Sequence, residues 1–271
     1  MGNIFNTLLV IPIINLLVVV YKGLVLIHIP FAFGFSIIIL TVLVRLVLSP
    51  LTAAQLKSAK KMQEINPHLQ KLKEKHKGDA KTLQTEQAKL YKEFGINPLA
   101  GCLPLLIQLP FTIGFYQVLN KVVKLDPHTV VSEINSMVYS HSLRISQAWD
   151  PNFFGLSLST TPSHLISKGV FLILLLPVIT GLLQFLQSKM MFPAAVKTEK
   201  GKKEKKNDDF ASAFQSQSTF IFPVMIAVLS YGFPIGLSLY WNTFTIFGII
   251  QQYKIQGWGG LAPYIEKYGR R

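Results

Sequence analysis

Long apolar blocks separated by polar segments dominate this chain. About 20 apolar residues in a helix are enough to cross the hydrocarbon core of a bilayer. Five blocks reach or approach that length, at residues 31–51, 99–119, 169–188, 216–232 and 234–253. The pattern therefore predicts an all-α integral membrane protein with a core of five transmembrane helices.

A further apolar stretch precedes this core at residues 4–27. Pro12, Asn15 and Lys22 interrupt it, and no basic residue precedes it to fix its orientation. The pattern is equally consistent with a sixth transmembrane helix and with a helix lying along the outer interface. Both alternatives assign residues 1–30 to an N-terminal apolar helix.

The segment 52–98 is rich in lysine and in good helix formers, which predicts a helical hairpin. We expect Asn66 to cap a new turn, with Pro67 at its first position. Residues 77–79 read Lys-Gly-Asp and predict the reversal, and Gly95 predicts the end of the second arm.

The remaining connections complete the predicted organisation. The core of residues 31–253 includes the hairpin, an irregular external loop at 120–168 and a charged loop at 189–215. Residues 254–271 form a short basic tail. A tight turn is predicted between the last two spans, where the sequence reads Gly-Phe-Pro at 232–234.

Lysine and arginine are distributed unevenly between the two sides of the predicted bundle, which carries a formal net charge of +14. Ten lysines lie in residues 52–98 and seven in 189–215, whereas residues 120–168 contain four basic residues in all. Basic residues accumulate in cytoplasmic loops, so the hairpin, the charged loop and the C-terminus are predicted to be cytoplasmic. The charge is explained by this topology, and no specific nucleic-acid partner is predicted.

The sequence lacks the common patterns of catalytic and metal sites. Its six histidines form no HExxH pair, and it contains neither a Gly-rich phosphate loop nor a GxSxG elbow. Cys102 is the single cysteine, so an internal disulfide is impossible. We predict no cofactor and no metal, and we do not expect an enzyme.

Four predicted spans carry polar residues three or four positions apart, which places them on one face of each helix. These stripes consist of Thr41, Arg45 and Ser49; Gln108, Thr112 and Tyr116; Thr180, Gln184 and Ser188; and Ser238, Asn242 and Thr245. Ordinary hydrogen bonds between helices explain any single stripe. Four stripes together with an arginine favour a shared polar cavity.

Arg45 is the only charged residue within the five predicted spans, which contain no Asp or Glu. An arginine at the centre of a membrane helix costs roughly 2.5–3.5 kcal/mol on insertion scales. One explanation is that Arg45 lies close to the inner end of its helix and extends its side chain to the interface. The other is that its five N–H donors bind water, carbonyls, polar side chains or an incoming ligand.

Three blocks of this sequence resemble those of a known family. They are GFSIIILTVLVRLVLSPLTAAQ at 34–55, INPLAGCLPLLIQLPFTIGFYQVL at 96–119 and FPIGLSLYW at 233–241, the last followed by IIQQ at 249–252. Their content and order resemble the membrane protein insertases of the YidC, Oxa1 and Alb3 type, in particular the short bacterial proteins. The resemblance implies a protein that accepts nascent membrane proteins, here called clients, and releases their apolar segments sideways into lipid without nucleotide hydrolysis.

The resemblance also implies a polar intramembrane groove, open to the cytoplasm and to lipid but closed on the outer side. Arg45 matches the family's groove arginine, Gln108 and Trp241 fall in matching blocks, and Gln184 lies in a less diagnostic stretch. The predicted groove residues, taken from the stripes and the resemblance together, are Arg45, Thr41, Gln108, Thr112, Gln184, Ser238, Trp241 and Asn242.

Partners and location follow from the same resemblance. Nascent membrane proteins and the lipid bilayer of the bacterial plasma (inner) membrane are the expected partners. The hairpin at 52–98 is the expected contact for the Sec translocon, a ribosome or the signal-recognition-particle receptor. The tail at 254–271 is shorter than the ribosome-binding tails of mitochondrial relatives, which argues against anchoring of a ribosome by the tail.

Two other classes of function fit parts of the pattern. A small-solute or ion transporter could use Arg45 as an anion site, but the spans contain no carboxylate that could carry a proton and no recognisable inverted repeat. A passive scaffold for other membrane proteins would use the hairpin, and Arg45 would then be dispensable.

Overall fold

The computed structural model describes residues 2–76, 78–95, 103–123, 127–191 and 210–269. The α-helices in these ranges are α1 (Gly2–Phe5), α2 (Ile11–Leu26), α3 (Ala32–Lys75), α4 (Ala80–Glu93), α5 (Leu103–Val123), α6 (Pro127–Met137), α7 (Pro162–Ser167), α8 (Leu175–Met191), α9 (Phe210–Gly232), α10 (Ile235–Gln256) and α11 (Ala262–Gly269). Tighter or wider turns are the π-helix Asn6–Val10 and the 3₁₀ segments His141–Leu143, Phe171–Leu174 and Gly259–Leu261. Strands β1 (Asn152–Phe153) and β2 (Leu156–Ser157) pair antiparallel.

The chain forms two compact units. The first consists of Met1–Leu48, Leu105–Leu183 and Met225–Phe247, and the second of Ser49–Pro104, Gln184–Val224 and Gly248–Arg271. The first unit contains Arg45 and most of the predicted groove residues. The second contains the predicted hairpin.

The predicted spans lie largely within α3, α5, α8, α9 and α10, although residues 99–102 fall outside the described ranges. Within those ranges, three helical stretches are long and apolar enough to cross a membrane by length and composition, namely Asn6–Leu26, Ala32–Leu72 and Phe171–Met191. Helix α10 has the required length, but Asn242, Gln251 and Gln252 lower its mean hydropathy. The prediction of an all-α integral membrane fold is confirmed.

The N-terminal helix α2 packs beside the middle of α3. Ile13 lines a small cavity together with Thr41 and Val44. Ile13 lies about 20 Å from the C-terminal end of α2 at Leu26, and Val44 lies about 18 Å from the start of α3 at Ala32. These similar distances mean that α2 runs alongside α3 to the same depth, which favours the transmembrane alternative over the interfacial one.

Two polar residues that interrupt the apolar N-terminal stretch bind the loop predicted to be external. Asn15 Nδ2 donates to the carbonyl of Met137 at 2.9 Å, and the Tyr139 N–H donates to Asn15 Oδ1 at 2.7 Å. Lys22 Nζ donates to the carbonyl of Ser142 at 2.6 Å. These side chains are therefore satisfied by the loop, which offsets the cost of placing polar groups in an apolar helix.

The predicted external loop consists of short elements, as expected: α6, a 3₁₀ turn, the β-hairpin and α7. Its carbonyls also cap the start of α10. The N–H groups of Ile235 and Gly236 donate to Thr160 and Leu158, both at 2.9 Å. The first N–H groups of a helix have no partner within the helix, so these bonds fix the point where α10 begins. The tight turn between α9 and α10 lies where the sequence predicted it.

The first arm of the hairpin is part of the continuous helix α3. Pro50 and Pro67 both lie inside that helix, so the prediction that Asn66 caps a new turn is wrong. A proline inside a helix removes one hydrogen bond and costs about 3 kcal/mol, but packing around it can outweigh this loss. Ile65 and Leu69, on either side of Pro67, are buried and hold the two arms together through contacts with Leu90 and Tyr91 of α4.

The reversal and the end of the second arm are confirmed. Gly78 has φ +94°, and Asp79 caps α4 by accepting a hydrogen bond from the N–H of Thr82 at 3.1 Å. Hydrogen bonds from the side chain and then the backbone of Thr82 lower the pKa of the Asp79 carboxyl below its ordinary value. Gly95, with φ +60°, follows the last turn of α4. Lys77 lies outside the described residues.

Helix α3 and the β-hairpin approach each other so closely at Gly34 that a Cβ atom there would overlap the ring of Phe153. We expect Gly34→Ala to destabilise the protein by about 1–3 kcal/mol, because the ring must leave its contacts with Phe31 and Phe35. Thermal unfolding in detergent measures the change.

Gly23→Ala is the matched control for this substitution. A Cβ at Gly23 of α2 meets nothing within 4 Å, so alanine is expected to leave stability unchanged or raise it by roughly 0.5–1 kcal/mol. Equal effects of the two substitutions would contradict the close approach at Gly34.

Candidate functional site

The Arg45 guanidinium is enclosed between α3 and α10. Arg45 is only 5% exposed, and its Nε and Nη2 donate to the carbonyl of Phe244 at 3.1 and 2.7 Å. Its Cζ lies 3.4 Å from the centre of the Phe244 ring and 6.0 Å from that of Phe247. A cation above an aromatic face gains about 2 kcal/mol when it is desolvated. These contacts hold the side chain in the first unit and do not support extension to the interface.

Tyr240 connects Arg45 to the polar stripe of α5. Tyr240 lies one turn before Phe244, is 4% exposed and interacts electrostatically with Arg45. Its hydroxyl also interacts with the side chain of Thr112, although neither oxygen has a partner at full hydrogen-bond geometry. A small cavity adjoins this group, lined by Ile13, Leu40, Thr41, Val44, Phe111, Phe115 and Tyr240.

The hydroxyls of Thr41 and Ser238 are satisfied by ordinary hydrogen bonds. Thr41 Oγ1 donates to the Ile37 carbonyl within α3 at 2.6 Å. The Oγ atoms of Ser238 and Ser230 lie 2.7 Å apart, and Ser230 Oγ lies 3.5 Å from Thr180 Oγ1. The stripes of α8 and α10 therefore meet at a hydroxyl cluster. This matches the simpler explanation of such stripes, ordinary hydrogen bonds between helices, and does not require a shared cavity.

Trp241 and Asn242 follow Tyr240 but face other neighbours. Trp241 is buried and stacks with Phe233 at 6.2 Å between ring centres, and Phe233 in turn contacts Tyr116 at 5.0 Å. Trp241 thus packs in an aromatic group at the start of α10. The Oδ1 atom of Asn242 is buried without a hydrogen-bond partner, so this amide retains an unused acceptor.

The last two predicted groove residues add little to the geometry. Gln184 belongs to the second unit and is partly buried. The side chain of Gln108 lies outside the described residues. The structure thus brings Thr41, Arg45 and Thr112 around Tyr240, and the assignment of all eight residues to a groove remains a prediction.

Sequence reasoning missed Tyr240 and Gln251. Gln251 Nε2, in the second unit, donates to the carbonyl and the hydroxyl of Ser49, both at 3.0 Å, and to Thr52 Oγ1 at 2.8 Å. It therefore binds the end of the stripe that contains Arg45. Both residues lie in sequence blocks that carry the family resemblance, and this was the available signal.

The site offers a buried cation and hydroxyl groups, which can attract carboxylates and peptide carbonyls, beside an aromatic face and a helix carbonyl, which favour the cation itself. Within the described ranges, no group of three or more His, Cys, Asp or Glu side chains is placed to hold a metal ion.

Comparison with known proteins identifies the family. The sequence model of the 60Kd inner membrane protein family matches residues 25–259, which include every predicted span and the hairpin. The chain belongs to this family. It comprises the YidC, Oxa1 and Alb3 type of protein, so the resemblance seen in the three sequence blocks is confirmed.

Relatives in the family include several proteins named as insertases. The membrane protein insertase YidC of Fusobacterium nucleatum is 33% identical over 223 residues, covering 82% of this chain and 85% of the relative. The membrane protein insertase MisCA of Bacillus subtilis is 33% identical over 229 residues, covering 83% and 70%. The chloroplast ALBINO3-like protein 1 of Arabidopsis thaliana is 32% identical over 268 residues, covering 94% of this chain and 49% of the relative.

A solved structure supports the fold. A crystal structure of an active YidC insertase with its first transmembrane domain resolved matches 86% of this chain, with 28% identity and a TM-score of 0.51. The chain spans about half the length of that protein and of the Arabidopsis relative. Family membership and the apolar helices together make this a membrane-embedded protein.

Proposed function

We propose that this chain is a membrane protein insertase that binds the polar flank of a nascent client beside Arg45 and releases the client's apolar helix into lipid. The observation that carries the proposal is the buried Arg45 guanidinium, which lies in spans without any carboxylate. The insertase names of its relatives support the same function. A small-solute transporter is the alternative, with Arg45 as its anion site.

The proposed mechanism lowers the barrier to crossing the membrane. A polar client flank must leave water, and each unpaired polar group costs several kcal/mol in hydrocarbon. The Arg45 guanidinium, with the hydroxyls of Thr112 and Tyr240 nearby, replaces part of that hydration. Burial of the client's apolar helix then drives release, because each buried methylene contributes about 0.8 kcal/mol. No nucleotide hydrolysis is required, and the chain is not proposed to be an enzyme.

The proposed partners follow from this role. Clients are nascent membrane proteins, and the lipid bilayer receives their apolar segments. Among the described residues, the hairpin formed by the end of α3 and by α4 carries most of the exposed lysines, so it is the proposed contact for a ribosome, the Sec translocon or the signal-recognition-particle receptor. We further propose that the groove opens to the cytoplasm and sideways to lipid, and that the chain is organised as an N-terminal apolar helix at 1–30, a five-span core at 31–253 and a short basic cytoplasmic tail at 254–271.

A reconstituted system tests the proposed function. Proteoliposomes containing the purified chain should insert a ribosome-released client with one apolar segment, measured as protease protection of its translocated flank. Protein-free liposomes are the control. Solute flux without client insertion would contradict the insertase function and support the transporter alternative.

The proposed location is the bacterial plasma membrane with a cytoplasmic hairpin and C-terminus. Ser140 and Lys75 are both exposed, so cysteines at these positions are accessible to a thiol reagent. In a Cys102→Ser background, we expect a membrane-impermeant reagent to label Ser140→Cys in intact cells and to leave Lys75→Cys unlabelled until the cells are lysed. The reverse labelling pattern would contradict the topology.

A further inference from the structure

The N-terminal segment fills the space beside the polar group around Tyr240. Ile13 lines the same small cavity as Thr41 and Tyr240. Gly114 of α5 provides the other contact, since a Cβ there would lie 3.3 Å from Ile13 Cδ1 and 3.7 Å from Leu9 Cβ. The missing side chain at Gly114 thus allows residues 9–13 to approach the α5 backbone closely.

This segment has the properties of a client's apolar helix. One face is buried in the first unit, where Val10, Ile14 and Leu17 have no exposed surface. The opposite face is apolar but open, with Ile4 67% and Leu8 68% exposed. An apolar helix with one face on the protein and the other toward lipid is the form a client must have just before its release.

The two halves of the segment are held differently. The C-terminal half of α2 is attached by the hydrogen bonds of Asn15 and Lys22 to the loop at 137–144. The N-terminal half rests on Gly114 through apolar side chains. Within the N-terminal half the π-helical turn Asn6–Val10 changes to α-helix next to Pro12, which has no N–H to donate. Pro12 thus contributes one backbone hydrogen bond fewer to this helix than another residue type would.

We propose that residues 5–13 are a resident occupant of the client-binding site, and that an incoming client helix displaces them from between α3 and α5. The ligand of this site is an apolar helix of about 20 residues. The inference rests on the proposed insertase function.

Exchange of one apolar helix for another buries a similar area before and after, so displacement has a small net free energy and needs no external energy source. In the idle protein the resident segment shields the polar group around Tyr240 from lipid.

A reversible disulfide tests the proposal. The Cβ separation of 3.7 Å between Leu9 and a residue at Gly114 lies within the range of about 3.5–4.5 Å that a disulfide requires. In the Cys102→Ser background, Leu9→Cys with Gly114→Cys should lock the segment in place on oxidation. We expect insertion in proteoliposomes to fall in proportion to the crosslinked fraction and to recover on reduction.

A matched disulfide elsewhere in the first unit is the control. A Cβ at Gly236 would lie 3.5 Å from Leu158 Cβ, so Leu158→Cys with Gly236→Cys joins the predicted external loop to α10 without touching α2. Oxidation of this pair should leave insertion unchanged. If the Leu9–Gly114 lock inserts clients as well as its reduced form does, or if both locks lose activity equally, the displacement proposal is overturned while the insertase function stands. If neither the wild-type protein nor the reduced variants insert clients, both the displacement proposal and the insertase function are overturned.

A second measurement follows the exchange directly. A photo-crosslinking residue in place of Phe111, which lines the cavity, should join residues 5–13 of the idle protein. Addition of a stalled client should replace this product by a crosslink to the client's apolar helix. Client crosslinks that form while the internal product persists undiminished would overturn the proposal.

Discussion

Arg45→Ala is expected to lower insertion of clients with acidic translocated tails by about tenfold or more, because a hydrogen bond to a charged group contributes roughly 1.5–3 kcal/mol. The protein itself should still fold and accumulate. Removal of a buried charge without a carboxylate partner saves desolvation cost, which offsets the loss of the donors to the Phe244 carbonyl and of the cation–π contact with its ring. Insertion and protein level must therefore be measured together.

Arg45→Lys is the matched control for charge. A lysine retains the positive charge but not the planar pair of N–H groups that now binds Phe244, so we expect it to keep much of the activity. The assay needs a panel of clients that differ in tail charge. Normal insertion of every client by the alanine variant would contradict a groove role for Arg45, and loss of the protein would indicate a structural role instead.

Local sequence signals predicted the turns and helix ends of this fold well. Gly78, Asp79 and Gly95 act through backbone conformation and capping, which depend on a few neighbouring residues. The failed prediction at Pro67 shows the limit of such signals. Proline weakens a helix locally, but contacts of Ile65 and Leu69 with the second arm decide whether the helix continues. Those contacts come from residues more than 20 positions away.

The candidate site shows the same limit at the level of helix faces. Spacing of four residues placed Thr41 with Arg45 and Ser238 with Asn242, but it could not say which helix each face meets. In the structure Arg45 contacts the carbonyl and the ring of Phe244, whereas Ser238 contacts Ser230. Tyr240 reads in sequence as an ordinary aromatic residue of a membrane helix. Its role beside a cation depends on the packing of α10 against α3.

The second large effect is expected at Gly259, where the segment after α10 crosses the C-terminal end of α8. A Cβ at Gly259 would overlap the carbonyl of Met190, and Gly259 has φ +51°. Gln63 Nε2 donates to the carbonyl of Met191 at 2.8 Å, so the end of α8 is held from two sides. Gly259→Ala should lower the free energy of unfolding by about 3 kcal/mol or more, which combines the cost of a left-handed alanine with that of overlap.

Gly257→Ala separates these two costs. Gly257 also has a positive φ, +68°, but a Cβ there meets nothing within 4 Å, so its alanine variant should lose only about 1–2 kcal/mol. Displacement of the segment should also release α11, whose Tyr264 ring lies 5.8 Å from Lys189 Nζ of α8. We therefore expect faster proteolysis of the tail in Gly259→Ala than in Gly257→Ala, measured beside thermal unfolding in detergent. Identical melting and cleavage of the two variants would mean that the backbone at Gly259 does not contact the end of α8.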